Sequence, residues 1–524
     1  MPEKQKTYGL LVGAAFVINF NIGVGILAIP RAFALGGLGF SLIFLCGITL
    51  ICALTAVWVL ESLARTPQFE GFDVAVLDQP HESPPPDRPI NETEVGHTEL
   101  RYKPLWELSD LCGYFIHPWA CLIYQFFFAF FELTVLWSYC TIFPTSVVSY
   151  IPFPGISDGK CDPDHDWSWG CQYSYWIVLA VFALLAIVLS LRNLTEQKIL
   201  QVSLTIFRFL SIGCMVTTSL VAIFTSPYDA QQGWGGPPAT PPPGPGPYTA
   251  QTAFFSAAGL PAIFSACIFC QLFHHGIPMF ATDLRDRTKV APPGPAPPQP
   301  TSYGALGVCD GDVAAGWGQA MRMFALATVT TMCLYALMGT VCSLYFGSQA
   351  PSAINVIWGR YSPAGATFNV AVTILRSFVV LFPAIDVLSA VPLGALVLSN
   401  VLAGLFPKAI RKWRPLASER GYRIFCRLTA IVPPLALAAA VHSIPTIVSL
   451  SGTVGFFIGF VVPACLAWRS KLSARRQNGG IDKPTPYTKL AWLSSPPFFL
   501  IVASFGFAMF VFQIVLLCVP NLFS

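Results

Sequence analysis

Charge is what this chain has least of. Only 11% of its 524 residues are charged, while 54% are hydrophobic. A soluble domain carries about twice that share of charge, so a water-soluble globular protein is excluded and a polytopic membrane protein is implied. No charged residue lies between Thr7 and Pro30, a stretch long enough to cross a bilayer. No small-residue cleavage site follows a short apolar core there, so the first span is expected to be a retained signal-anchor. Nothing in the sequence suggests nucleic-acid binding, and neither a metal nor a cofactor is expected. The net charge of +4 says little, because the placement of charge matters more than its sum.

Eleven apolar segments read as spans: roughly 8–30, 39–61, 119–150, 175–191, 199–225, 252–282, 323–347, 365–392, 424–441, 446–468 and 491–518. With the N-terminus in the cytosol, 25 of the 30 Lys and Arg residues fall on the cytosolic side. The outer loops hold Arg31, Lys160 and Arg360 alone, the asymmetry that orients membrane proteins. The stretch 361–407, interrupted by Pro383 and Pro392, is longer than one span needs. Dividing it would place the basic cluster Lys408–Arg427 outside, so it reads as one long, kinked span. Loop 65–117 is acidic and proline-rich and is expected to be disordered as far as Pro104. Segments 229–250 and 291–300 are proline linkers. The outer-loop run from Asp162 to Asp166 reads as a solvated acidic loop rather than a cation site. Most of the sixteen cysteines lie in spans as small hydrophobes. Cys161 and Cys171 share an outer loop and are placed to form a disulfide.

The first span is not a plain helix. Asn19, Asn21 and the Gly23-Val24-Gly25 run interrupt it, and Gly is a poor helix former. Unwound backbone at membrane depth is tolerated where it lines a cavity, and secondary transporters use such breaks to bind anionic groups. The alternative is a glycine face packed on a neighbouring helix. The sixth span carries a matching defect. Gly259 and Pro261 interrupt its outer half, and Gln271, His274, His275, Gly276 and Pro278 make its middle hard to keep helical. Spans one and six each open a set of five, where a five-plus-five inverted repeat places its broken helices.

Several motifs then become familiar. Asn19 followed by Gly23, Gly25-Ile26-Leu27, Pro30 and Ala32-Phe33 resembles the first-helix motif of the amino acid/auxin permease family. The runs Leu194-Thr195-Glu196-Gln197-Lys198 with Arg208-Phe209, Phe273-His274-His275-Gly276-Ile277-Pro278, and Ile447-Val448 with Gly452 and Phe460–Pro463 are similar to its fifth, sixth and tenth helices. The fifth- and sixth-span versions resemble most closely its transmembrane-protein-104-like branch. The resemblance implies an all-α, eleven-helix LeuT-type fold with helices 1 and 6 broken. Residues 1–226 would form the first repeat, 227–468 the second, and 469–524 a cytosolic loop with one extra helix. It also implies amino-acid transport.

Ionisable side chains inside spans are costly and mark function by default. Glu132, Arg208, His274, His275, Arg376 and Asp386 are the coupling candidates; the alternative for each is a structural pair that locks helix packing. By the resemblance, Asn19 matches a residue that serves the cation in sodium-coupled relatives, and the cation ligands of span eight fall near Ile374 and Arg376, beside Thr373 and Ser377. An arginine there opposes a sodium site and leaves proton coupling or exchange. For the substrate, amides of Val24, Gly25, Ile26 and Leu27 beside Gly23 would take a carboxylate. Carbonyls of Ile268, Phe269, Cys270 and Gln271 would take an ammonium. Tyr124 and Phe128 would form a wall, or are core or lipid-facing aromatics.

Three functions compete. A secondary transporter of amino acids or similar small zwitterions leads, in a plasma, endolysosomal or vacuolar membrane, with H+ favoured over Na+. A nutrient sensor on the same scaffold is the alternative, although its loops show no folded docking module. An intramembrane enzyme would need His274 and His275 on one face, and adjacent helical residues point about 100° apart.

Overall fold

The computed structural model describes residues 9–66, 107–154, 161, 168–191, 198–225, 228–229, 233–234, 252–285, 310–363, 369–406, 410, 418–477, 485 and 492–519. The run 162–166, most of the linker 229–250, the whole of 291–300 and the segment Leu194–Gln197 lie outside them. Among the described residues, ten helical segments are long and apolar enough to cross a membrane, and Leu10–Asn21 is a shorter apolar helix. They make an all-helical membrane protein, with one antiparallel pair of two-residue strands, β1 Tyr228–Asp229 and β2 Gly233–Trp234.

The first span is two helices. Helix α1 (Leu10–Asn21) stops where Gly23 turns extended, at φ −91° and ψ −165°. A single 3₁₀ turn over Val24–Leu27 follows, and α2 (Ile29–Gly36) restarts with Pro30 in its first turn, where a missing N–H costs nothing. Helix α3 (Leu38–Ala64) begins after Gly37, whose φ of +87° suits glycine alone among common residues. A short α4 (Leu108–Phe115), closed by a capping box between Glu107 and Asp110, leads into α5 (Pro118–Tyr150). At 33 residues, α5 is about 50 Å long against about 30 Å of hydrocarbon. It must tilt or project from the bilayer. Helices α6 (Trp169–Leu191) and α7 (Lys198–Thr225) complete the first five spans.

The sixth span is also broken in its middle, where Gln271–Pro278 indicated, but Pro261 does not interrupt its outer half. Pro261 sits in the first turn of α8 (Leu260–Gln271), which runs on without interruption. Gly259 is required by packing: a Cβ there would fall 2.1 Å from the Leu35 carbonyl. The break is Leu272–Gly276, with a 3₁₀ turn at His274–Gly276 before α9 (Ile277–Arg285). Helix α10 (Asp310–Phe346) starts earlier than hydropathy indicates, because its first turns are polar. Helix α11 (Val370–Leu405) contains both Pro383 and Pro392, a single long span as expected, though it begins and ends later than 365–392. Helix α12 (Glu419–Ala440) precedes α13 (Ile444–Phe456), which passes through a π turn at Phe457–Val461 into α14 (Val462–Gln477); α15 (Pro496–Cys518) is last.

Unbroken α5, α10, α11 and α13 surround the broken pairs: α5 packs along α11, α13 against α8 and α5, and α10 against α1 and α2. The segment leading into α8 is joined by backbone to the turn between α2 and α3. Leu38 and Phe40 donate to the carbonyls of Ala253 and Phe254, and Ser256 donates to that of Gly36, each at 3.0 Å. Cys161 is paired with Cys171 at the start of α6, with Cα atoms 5.4 Å apart.

Candidate functional site

A helix break at membrane depth leaves carbonyls that something must satisfy. At the first break the partner is Arg208, ten residues along α7. One of its nitrogens, Nη1, lies 2.8 Å from the Asn19 carbonyl, 2.6 Å from Asn19 Oδ1 and 2.6 Å from the Ile22 carbonyl. Its Nη2 and Nε donate to the Asp386 carboxylate on α11, the shortest contact being 2.7 Å. Both side chains are 13% exposed. The planar guanidinium fork matches this mixed set of carbonyls and carboxylate in a way an ammonium does not.

Arg376 does not share this site. It lies six residues into α11, about 9 Å from the helix start, and its Nε donates to the Tyr361 carbonyl. Nearby Ile374 is 63% exposed, and Thr373 is bonded back to Asn369 at the helix start. The guanidinium on Asn19 is that of Arg208, not that of Arg376.

The last residues of α1 and α8 face each other. Asn21 Nδ2 reaches Gln271 Oε1 at 3.4 Å and Thr331 Oγ1 on α10 at 3.2 Å. The Tyr335 hydroxyl, one turn further along α10, lies 2.9 Å from the Asn21 carbonyl and 3.1 Å from that of Cys270. Its single proton serves one carbonyl at a time, and both broken helices are held against α10 through it. Gly25 packs tightly against α8, where a Cβ would approach Cys270 Sγ to 2.7 Å and the Phe269 ring to 2.8 Å. Gly23 is roomier: a Cβ there would meet only the Tyr139 hydroxyl of α5, at 3.4 Å. Val24, Ile26 and Leu27 are buried in the 3₁₀ turn, and Ile268 is buried in the last turn of α8.

The two histidines part company at the second break. His274 is fully buried, with Nε2 2.7 Å from Thr55 Oγ1 on α3. The Thr55 hydroxyl is also within reach of the Ile51 and Cys52 carbonyls. If its proton goes there, Nε2–H of His274 is the donor to Thr55. His275 instead places Nε2 3.5 Å from Glu132 Oε1 on α5, among the rings of Phe20, Phe128 and Phe131. Tyr124 stacks on Phe128 with centroids 5.7 Å apart, and its buried hydroxyl has no hydrogen-bond partner among the described residues. Tyr139, Thr331, Tyr335 and Thr55 were not singled out from sequence. Polar side chains inside apolar spans were the available signal for Thr331 and Thr55, whereas the two tyrosines had none.

Residues 6–293 match the family model described as transmembrane amino acid transporter protein. The chain is 21% identical to the Transmembrane protein 104 homolog of Drosophila melanogaster, over 94% of each chain. It is equally similar to Transmembrane protein 104 of Homo sapiens, at 21% over 97% of this chain and 96% of the other. The Dictyostelium discoideum homolog is 21% identical over 93% and 94%. With more than half its length matched, on the broken spans just described, the chain belongs to the family of transmembrane amino acid transporter proteins.

Proposed function

We propose that this protein carries amino acids across its membrane by alternating access, without sodium. Two inverted halves, residues 1–226 and 227–468, move around the paired breaks, and 469–524 adds a further span. The reading is supported by the Arg208 guanidinium, which sits on the carbonyls of Asn19 and Ile22 and is neutralised by Asp386. A guanidinium already bonded to those carbonyls takes up the place a free cation would fill and holds the unwound chain as one would. The amides of the Val24–Leu27 turn then face the substrate carboxylate, and carbonyls at the end of α8 its ammonium. The charge asymmetry of the loops places the N-terminus in the cytosol. Uptake of labelled amino acids into proteoliposomes, with sodium replaced by choline, tests the reading. Transport should be unchanged; its collapse would mean that a sodium ion is needed after all.

A further inference from the structure

Glu132 is a carboxylate with no strong counterion. It is 6% exposed, midway along α5, and the arginine nearest the breaks is already committed to Asp386. Its partner is the His275 imidazole at 3.5 Å, longer than a charge-assisted hydrogen bond. Around that imidazole stand the rings of Phe20 and Phe128, with centroids 4.9 and 4.8 Å away, and Phe131 at 6.2 Å. A buried carboxylate beside an imidazole that is ringed by aromatic side chains can recognise a cation by charge and by ring quadrupole together. Among the described residues His275 Nδ1 has no hydrogen-bond partner. With Nε2–H turned to Glu132, it offers a second acceptor.

Phe20, at the end of α1, is 40% exposed, and it forms the edge of the cluster. The distance of that cluster from the first break fits a long side chain. Tyr139, whose hydroxyl meets Gly23, lies seven residues beyond Glu132 on the same face of α5, about 10 Å along its axis. That is roughly the reach of an extended lysine or arginine with a hydrogen bond at either end.

Building on the amino-acid transport reading, we propose that the Glu132–His275 cluster is a side-chain subsite and that the substrate is an amino acid with a cationic side chain. The Gly23 break takes its carboxylate. Glu132 takes the ammonium or guanidinium, with Phe20 and Phe128 covering the apolar stem and the flat face of the cation.

The test is thermal stabilisation of the purified full-length protein, and uptake into proteoliposomes, with arginine and lysine against their neutral analogues citrulline and norleucine. Arginine and lysine should bind at least about ten-fold more tightly than the neutral pair. Glu132→Gln should erase that preference while citrulline binding persists, whereas a general loss of folding would lower both. Phe128→Leu keeps the carboxylate and should reduce the preference several-fold, which decides the matter if Glu132→Gln is poorly folded. Equal or tighter binding of the neutral amino acids overturns the cationic subsite and leaves amino-acid transport standing. Failure of every amino acid to bind or enter overturns both.

Discussion

Asp386 and Arg208 stand 178 positions apart in the chain, yet each is what makes the other tolerable inside the membrane. Removing one partner of a buried pair strands the other charge, at a cost of about 3–5 kcal/mol. Asp386→Asn should therefore lower the thermal midpoint of the purified protein sharply. The Arg208→Gln/Asp386→Asn double variant should lose less than the two single variants combined. Additive losses would show that the two side chains do not depend on each other. The glycines of the first break separate in the same way. Gly25→Ala forces a methyl into Cys270 and Phe269, so folded yield should fall; Gly23→Ala meets only ordinary contact with Tyr139 and should fold. If Gly23 lies where the substrate carboxylate binds, Gly23→Ala should weaken uptake at unchanged yield. Normal uptake by that variant would move the site elsewhere.

Among the helices, α11 explains why one arginine was mistaken for another. Arg376 and Asp386 are ten residues apart, about 15 Å along the axis and roughly 80° around it, so they cannot serve one site. Hydropathy places both arginines about ten residues into a span and is silent on which face each occupies. The helix breaks were legible because glycine, proline and consecutive polar residues act locally. What was not legible depends on neighbours far along the chain. Gly259 looks like a helix breaker in one dimension and is a contact with Leu35 in three. Tyr335 belongs to this scale too, since it holds the ends of α1 and α8 against α10. Tyr335→Phe should cost about 1 kcal/mol of stability. It should also speed amide hydrogen exchange at Ile22–Gly25 and Leu272–Gly276. Unchanged exchange at both breaks would mean that packing alone holds them.

For the molecule as a whole, eleven apolar segments, their breaks and the family were readable from composition and local motifs. The assembly of the site from α1, α5, α7, α10 and α11 was not. The membrane orientation rests on the charge asymmetry, and it predicts that the sequons at Asn91 and Asn193, outside the described residues, stay unglycosylated in cells. A glycosidase-sensitive mass shift abolished by Asn193→Gln would invert the topology. The same orientation puts Cys161 and Cys171 in an oxidising compartment, so both should resist alkylation until reduced. The guanidinium at the first break has a thermodynamic meaning as well. A dissolved ion that binds on one face and leaves on the other carries the free energy of its own gradient into the transport cycle. Arg208 is tethered to the chain and crosses nothing, so it can shape the carrier and yet supply no drive. On the sodium-independent reading proposed above, uphill accumulation would be driven by protons or by the substrate's own charge. For a cationic substrate, a membrane potential contributes about 2.3 kcal/mol per charge for each 100 mV.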